Sequence, residues 1–161
     1  MNIVIDTREQ KPYDFPYTII NKKLDTGDYS IEGLENQVCI ERKTLSDAYG
    51  TIGQRRNTFV LELERMKSFT FAAIIIESSM QTFLEYPTDY NKKLTALCRK
   101  NLYIDYDKKR MRMSPSSAIN SLLAWSLRYN IHIFFCCNRL LGNTTTLRLL
   151  EKFYKENNQN V

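Results

Sequence analysis

The stretch from Glu41 to Asp47 constrains the fold most, because four charged residues follow closely after an apolar run. Residues 37–40 read Gln-Val-Cys-Ile, a pattern typical of a strand. Side chains alternate along a strand, so Glu41 and Lys43 are expected on one face, about 6–7 Å apart, and Arg42 on the other. The sequence therefore predicts a carboxylate beside an ammonium group at the end of a strand.

A second carboxylate is expected close to the first. Residues 26–29, Thr-Gly-Asp-Tyr, predict a tight turn that delivers Asp28 to the start of another strand. Two carboxylates from neighbouring strands and one lysine make a site for a hard divalent cation, Mg²⁺ or Mn²⁺, and a phosphate group. We expect Asp28 and Glu41 to be the principal metal ligands. Asp6 ends the first predicted strand. It is either a third metal ligand or a carboxylate that lies next to the ligands without binding the metal itself.

Two motifs in this order resemble those of a known family. Gly-Asp at residues 27–28 is followed, after twelve residues, by Glu-Arg-Lys-x-x-x-Asp at 41–47. This pattern resembles the signature of the nuclease domain of the XPF/Mus81 (ERCC4) family. The opening Ile-Asp-Thr-Arg-Glu at 5–9 is similar to the first-strand motif of the same family.

The resemblance implies an α/β fold of three layers with a mixed central sheet, the restriction-endonuclease-like fold. It covers the whole chain except about residues 78–113, so we expect residues 1–161 to be a single stand-alone nuclease domain with an insert. It also implies a homodimer through residues 115–154, because nuclease domains of this family pair through their closing helices. The residues that it marks as important are Asp6, Arg8, Glu9, Asp28, Glu41, Arg42, Lys43 and Asp47.

The activity implied by the resemblance is metal-dependent hydrolysis of DNA phosphodiesters, at or near single-strand/double-strand junctions such as flaps and forks. One alternative is a catalytically silent DNA-binding or dimerisation subunit. Another alternative is a nuclease that acts on plain duplex DNA or on RNA. The sequence alone does not separate these three functions, although the presence of the acids favours activity.

Several charged residues have open roles. Lys43 is expected to orient the attacking water or to stabilise charge on the phosphorane. Asp47 could ligate the metal, hold Arg42, or act only on the helix N-terminus that Thr44 or Ser46 can cap. Arg8 and Arg42 are either phosphate clamps or ion-pair partners. Arg55 and Arg56 either contact DNA or lie on a solvated helix face.

The insert at residues 78–113 carries a large share of the positive charge. The whole chain has 23 basic and 18 acidic side chains, a net charge of +5. Basic side chains bind phosphates and aromatic rings can stack on unpaired bases, so the insert is a candidate DNA-binding segment. Its alternative is a tyrosine-rich packing element. The candidate DNA-binding residues are Lys108, Lys109, Arg110, Arg112, Tyr103 and Tyr106.

The predicted element order is four strands, two helices, a strand, the insert, a helix, a strand and a helix. We expect the first four strands to be antiparallel, because their connections are too short for crossover helices. Ser114 and Pro115 predict a helix start, and that helix is expected to end near Tyr129. The last helix is expected to begin at Asn143 or Thr144.

The composition of the chain bears on its location and on the state of its cysteines. No segment approaches the length of a membrane span, so we expect no membrane partner and a cytoplasmic location, or a nuclear one in a eukaryote. The four cysteines include no Cys-x-x-Cys pair, so we expect reduced thiols rather than a zinc site.

Overall fold

The computed structural model describes residues 1–86 and 113–158. The strands of this part are β1 Ile3–Ile5, β2 Ile19–Asn21, β3 Tyr29–Ile31, β4 Val38–Lys43, β5 Phe71–Ile76 and β6 His132–Phe135. The helices are α1 Leu45–Ile52, α2 Arg56–Met66, α3 Met80–Leu84, α4 Pro115–Tyr129 and α5 Arg139–Asn158.

The described strands form one mixed sheet in the order β2-β1-β3-β4-β5-β6. β3 is antiparallel to both β1 and β4, as predicted, and β4, β5 and β6 are parallel to one another. The prediction of an antiparallel first half is wrong for β1 and β2, which are parallel. Residues 6–18 connect these two strands. A parallel crossover requires a dozen or more residues, and this connection has that length.

Helices and loops cover the sheet on both faces. α1, α2, α3 and α4 contribute to one apolar cluster, in which Trp125 of α4 is buried. α5 packs on the opposite face, together with Tyr13 and Phe15 from the crossover between β1 and β2. The crossover thus acts as part of the second covering layer. This burial accounts for its aromatic residues.

Capping residues define the two closing helices. α4 has the predicted bounds, because the Ser114 hydroxyl accepts a hydrogen bond from the Ser117 N–H and Asn130 adopts a left-handed φ of 53°. α5 begins at Arg139, four residues before the predicted Asn143. The Asn138 side chain accepts a hydrogen bond from the Leu141 N–H at 3.0 Å, so this earlier asparagine caps the helix.

Within the described residues, no helix is both long enough and apolar enough to cross a membrane. Cys39 and Cys136 are buried free thiols, whereas Cys137 is an exposed one. His132 is exposed and its ring stacks on Phe71, with 4.9 Å between the ring centroids.

Candidate active site

Asp28 and Glu41 lie side by side where β3 and β4 pair. Asp28 immediately precedes β3, and its N–H donates to the Ile40 carbonyl at 2.9 Å. Its Oδ2 accepts a hydrogen bond from the Arg42 N–H at 2.7 Å. These two bonds anchor Asp28 to the backbone on either side of Glu41. The two carboxylates are therefore delivered by neighbouring strands, as the sequence predicted.

Gly27 is the residue that lets the turn approach β4. Its φ is +79°, in the left-handed region that side-chain-bearing residues rarely adopt. A Cβ atom there would lie 3.1 Å from the Cβ of Cys39 and 3.3 Å from the Ile40 carbonyl oxygen. The glycine therefore sets how closely Asp28 sits against the strand of Glu41.

Lys43 is the cation of the site. It shares a face with Glu41, as the alternation along β4 predicted, and its Nζ donates a hydrogen bond to Glu41 Oε1. Its Nζ also lies 4.9 Å from the centroid of the Phe59 ring, contributed by α2. Helix α2 thus closes one side of the site with an aromatic surface.

The electrostatics of the site favour a bound cation. Burial raises the pKa of Glu41, the negative charge of Asp28 raises it further, and Lys43 opposes both effects. Burial also raises the pKa of Asp28, against the hydrogen bond from the Arg42 N–H and the charge of Lys43. Two carboxylates therefore share one ammonium group in a poorly hydrated place, and a divalent cation would remove this imbalance.

The donor atoms also fit a hard cation. Asp28 and Glu41 each use one carboxylate oxygen in a hydrogen bond. For the second oxygen of each, the described part of the chain supplies no hydrogen-bond partner. Within residues 1–86 and 113–158, however, no three His, Cys, Asp or Glu side chains form a group that could hold a metal ion. A cation here would complete its coordination shell with water or phosphate oxygens, as Mg²⁺ commonly does.

Asp6 is engaged elsewhere. Its Oδ1 accepts hydrogen bonds from the N–H and the Nε of Arg8, both at 2.7 Å. Its Oδ2 accepts from the Arg8 guanidinium at 2.9 Å and from the Leu24 N–H at 2.6 Å. With both oxygens occupied, Asp6 is left out of the metal site that we propose. Arg8 is an ion-pair partner whose side chain is still 62% exposed.

Arg42 projects to the opposite face of the sheet, as predicted, and joins three elements there. Its guanidinium donates to Glu9 through Nε and Nη2, at 3.0 and 3.2 Å, and to Glu77 through Nη1 at 3.1 Å. Its guanidinium carbon lies 5.8 Å from the centroid of the Tyr13 ring. Only 10% of the Arg42 side chain is exposed. This environment favours the ion-pair interpretation of Arg42 over the phosphate clamp.

Asp47 lies at the start of α1, where its N–H donates to the Thr44 hydroxyl, so Thr44 is the capping residue. The side chain of Asp47 is half exposed and pairs with Arg55 at 3.6 Å, and it does not hold Arg42. The negative charge of Asp47 therefore interacts with the N-terminus of α1. We leave Asp47 out of the proposed metal site.

Arg56 packs inward rather than toward solvent. Its guanidinium carbon lies 4.9 Å from the Trp125 ring centroid, and its Nη1 donates to the Ser121 hydroxyl at 3.1 Å. Arg56 therefore joins α2 to α4, a role that neither interpretation from the sequence had included. Arg55 remains an exposed cation near the N-terminus of α1.

Sequence reasoning missed two acids. Glu77 directly follows the apolar run of β5, a position that could have marked it as a strand-end carboxylate. Glu62 lies on α2, and its negative charge raises the pKa of both Asp28 and Glu41. No local pattern sets Glu62 apart from other polar residues on α2. The candidate DNA-binding residues of the insert, Tyr103, Tyr106, Lys108, Lys109, Arg110 and Arg112, lie outside the described residues.

Comparison with known proteins identifies the family and the fold. The model of the ERCC4 domain matches residues 5–142. A search of curated proteins gave no significant match. Two solved structures share the fold, which confirms the predicted restriction-endonuclease-like architecture: XPF from Aeropyrum pernix and XPF from Aeropyrum pernix in complex with DNA.

The similarity to these structures is one of fold. The first has a TM-score of 0.56 and 17% sequence identity over 91% of this chain and 61% of that one. The complex with DNA has a TM-score of 0.62 and 19% identity over 96% of this chain and 65% of that one. The chain thus spans less than two thirds of the length of either structure.

Proposed function

The chain belongs to the ERCC4 domain family, a family of nucleases, and we propose that it is a metal-dependent DNA endonuclease that cuts at or near single-strand/double-strand junctions. One observation carries this proposal. Asp28 and Glu41 meet where β3 and β4 pair, and the partly buried Lys43 offsets only one of their two negative charges.

Asp28 and Glu41 would hold the metal, Mg²⁺ or Mn²⁺, through the carboxylate oxygens that the described residues leave without a partner. Such a cation, when bound, acidifies a water molecule and shields the charge that grows on the phosphate. Glu41 is buried and Asp28 is partly buried, so their surroundings are poor in water and each charge interaction there is stronger than at the surface.

Lys43 acts as a fixed positive charge rather than as a base. Burial lowers its pKa, but the charge of Glu41 and its hydrogen bond outweigh burial, and the pKa of Lys43 is raised overall. The side chain therefore keeps its proton at neutral pH. Its ammonium group would stabilise the additional negative charge of the transition state beside Glu41.

DNA is the substrate that we propose because the fold is also that of a protein solved in complex with DNA. Exposed cations near the site include Arg8 and Arg55, whose side chains are 62% and 59% exposed. They are the described residues that best suit contact with the phosphate backbone. The basic residues and tyrosines of the insert remain further candidates for this surface.

A homodimer completes the proposal. Among the described strands, β6 lies at one edge of the sheet, and the helices before and after it in the sequence carry exposed leucines. Exposed apolar side chains and a sheet edge both suit pairing with a second copy. The leucines are Leu123, Leu127, Leu140 and Leu141.

The decisive test is a panel of end-labelled flap, fork, duplex and single-stranded DNAs, with an RNA duplex, each incubated with Mg²⁺, Mn²⁺ or EDTA. We expect metal-dependent cleavage that is fastest on flaps and forks. Equal rates on plain duplex would support the duplex nuclease instead. Tight binding to forks without cleavage in either metal would support a silent DNA-binding subunit.

A further inference from the structure

We propose that Arg65, on helix α2, is a positioning residue that holds the turn carrying Asp28 and thereby sets the affinity of the site for its metal. This inference rests on the proposed function, because it assumes that Asp28 binds a divalent cation. Arg65 does not touch the carboxylates, and it acts through Thr26, two residues before Asp28.

Helix α2 contacts the turn at two consecutive residues. The Nε of Arg65 donates a hydrogen bond to the Thr26 hydroxyl at 2.9 Å, and Thr26 is buried. One turn of helix earlier, Glu62 Oε1 faces the Gly27 N–H at 3.4 Å. The helix thus fixes the side chain of one turn residue and approaches the backbone of the next.

The other end of the same segment is held by residues that directly follow β1. The Leu24 N–H donates to Asp6 Oδ2 at 2.6 Å, and the Leu24 carbonyl accepts from the Arg8 guanidinium at 2.7 Å. Residues 24–27 are therefore fastened at both ends before the chain enters β3. The Asp6–Arg8 pair, which we left out of the metal site, has this structural task.

The position of Asp28 depends on this fastening. Asp28 lies outside β3. Its own anchors are the two hydrogen bonds to β4 that flank Glu41 and one from the Asp6 N–H to its carbonyl oxygen at 2.8 Å. Within the described residues, the turn before it is held through Thr26, Gly27 and Leu24. If the Thr26 side chain were released, the backbone at Gly27 could change conformation, because glycine restricts φ least. Asp28, the next residue, would then be held less firmly. A displacement of about 1 Å is enough to weaken a preorganised site strongly.

Because Arg65 is positively charged, its charge and its positioning role predict opposite changes in metal affinity when it is removed. Removing a positive charge beside the turn that carries Asp28 would, by Coulomb's law alone, strengthen cation binding. If Arg65 instead positions Asp28, its removal should weaken cation binding. Binding of Mn²⁺ to the DNA-free protein, followed by electron paramagnetic resonance or calorimetry, separates the two effects and does not depend on DNA contacts or on cleavage.

We expect Arg65→Ala to weaken Mn²⁺ binding about tenfold, the usual lower bound for residues that orient metal ligands. Arg65→Lys should restore part of the affinity, since an ammonium group can still donate to Thr26. Lys67→Ala, which removes a nearby exposed charge from the end of the same helix, should leave the affinity unchanged. Melting temperatures of the three variants report their folding.

A second pair of variants keeps the charge constant. Thr26→Val removes the acceptor of the Arg65 hydrogen bond, whereas Thr26→Ser keeps a hydroxyl in place. We expect the valine variant to lose Mn²⁺ affinity to the same extent as Arg65→Ala, and the serine variant to lose less. This pair remains informative if Arg65→Ala does not fold.

The outcomes distinguish this inference from the proposed function. If the wild-type protein binds no Mn²⁺, or if Asp28→Asn binds it normally, the metal site is wrong and this inference falls with it. If Asp28→Asn abolishes binding while the Arg65 and Thr26 variants bind as wild type does, only the positioning role is overturned. Tighter binding by Arg65→Ala would likewise overturn it.

Discussion

At the scale of single residues, Asp28 and Glu41 are the two carboxylates that we propose as the metal ligands. We expect Asp28→Asn and Glu41→Gln each to abolish metal-dependent cleavage, because an amide keeps the shape of the side chain but lacks the charge that holds the cation. Binding of DNA should persist. Single-turnover cleavage in Mg²⁺ and fluorescence anisotropy without metal measure the two effects separately. Cleavage at the wild-type rate by both variants would contradict the ligand assignment.

Lys43 should act on the chemical step rather than on affinity. Removing one preorganised stabiliser of transition-state charge commonly lowers the rate by about 10²–10³. We therefore expect Lys43→Ala to reduce the single-turnover rate by this order, with a much smaller change in the Kd for DNA. A variant that cleaves normally once bound, but binds weakly, would make Lys43 a phosphate anchor.

The Asp6–Arg8 pair predicts how stability depends on pH. Burial alone would raise the pKa of Asp6, but the hydrogen bonds from Arg8 and Leu24 outweigh it and the pKa is lowered. A carboxyl with a lowered folded-state pKa contributes stability above its unfolded value, about 3.9, and loses it as the pH falls through the folded-state value.

Asp6→Asn places an amide donor against the donors of Arg8 and Leu24. We expect it to lower the free energy of unfolding at pH 7 by about 2–3 kcal/mol, in the range for hydrogen bonds to charged groups. The difference between wild type and variant should shrink as the pH falls toward 3. Urea unfolding curves at both pH values measure this change, and an equal difference at both would contradict the ionic role.

The residues show what local sequence can predict. The common face of Glu41 and Lys43 follows from the period of a strand, which is a local property. The partners of Arg42 do not, because Glu9 and Glu77 lie 33 and 35 residues away along the chain. Only the assembled fold brings such distant groups together. The sequence therefore left open whether Arg42 is a phosphate clamp or an ion-pair partner.

At the scale of elements, the close contact between α5 and the β1–β2 crossover requires a glycine at one position of the helix. A glycine-to-alanine change inside a helix ordinarily gains about 1 kcal/mol in helix propensity. At Gly142, however, the new Cβ would lie 2.4 Å from the Tyr13 hydroxyl oxygen, which donates a hydrogen bond to Glu77 at 2.9 Å.

We expect Gly142→Ala to destabilise the protein by about 1–3 kcal/mol, the usual cost of overpacking. Gly50→Ala in α1 is the matched control. Its nearest neighbour is the end of the flexible Arg55 side chain at 3.1 Å, which can move away, so this change should be neutral or stabilising. Thermal unfolding of both variants measures the contrast. A stabilised Gly142→Ala variant would show that Tyr13 shifts at little cost.

The elements were predicted well where their signals are local. The bounds of α4 followed from its capping serine, its first-turn proline and Asn130. The start of α5 was misplaced because Asn138 and Asn143 are both capable of capping a helix, and the hydrogen bond that makes Asn138 the cap is visible only in the folded structure. The parallel β1–β2 pair was missed since the sequence does not show that residues 6–18 cross the sheet.

At the scale of the whole molecule, the two layers around the sheet have separate tasks. The layer of α1, α2 and α4 lies on the face of Glu41 and Lys43, and α2 supplies Phe59 beside the lysine. The layer with α5 and the crossover lies on the face of Arg42. The charge network of Arg42 thus connects β4 to the crossover through Glu9 and, through Glu77 and Arg139, to α5, on the face opposite the proposed site.

Two such molecules are expected to assemble into a homodimer. Leu127 is 87% exposed on α4, within the range 115–154 that we expect to form the dimer, and the edge strand β6 lies in the same range. A stable pairing needs roughly 800 Å² of surface from each partner, and a charge at its centre would be left without solvation. We therefore expect wild-type protein at tens of micromolar to scatter light with about twice the protomer mass of 19.0 kDa. Leu127→Lys should reduce this mass to that of the protomer.

Leu61 offers the matched control for this experiment. It is 62% exposed but lies on α2, outside the expected interface. Leu61→Lys introduces the same charge on another exposed helix surface, so we expect it to leave the mass of the dimer unchanged. Dissociation by both variants would point to a general effect of charge on association. A wild-type mass that stays at the protomer value at every concentration would reject the dimer, while leaving the metal site of Asp28 and Glu41 intact, because all of its described residues come from one chain.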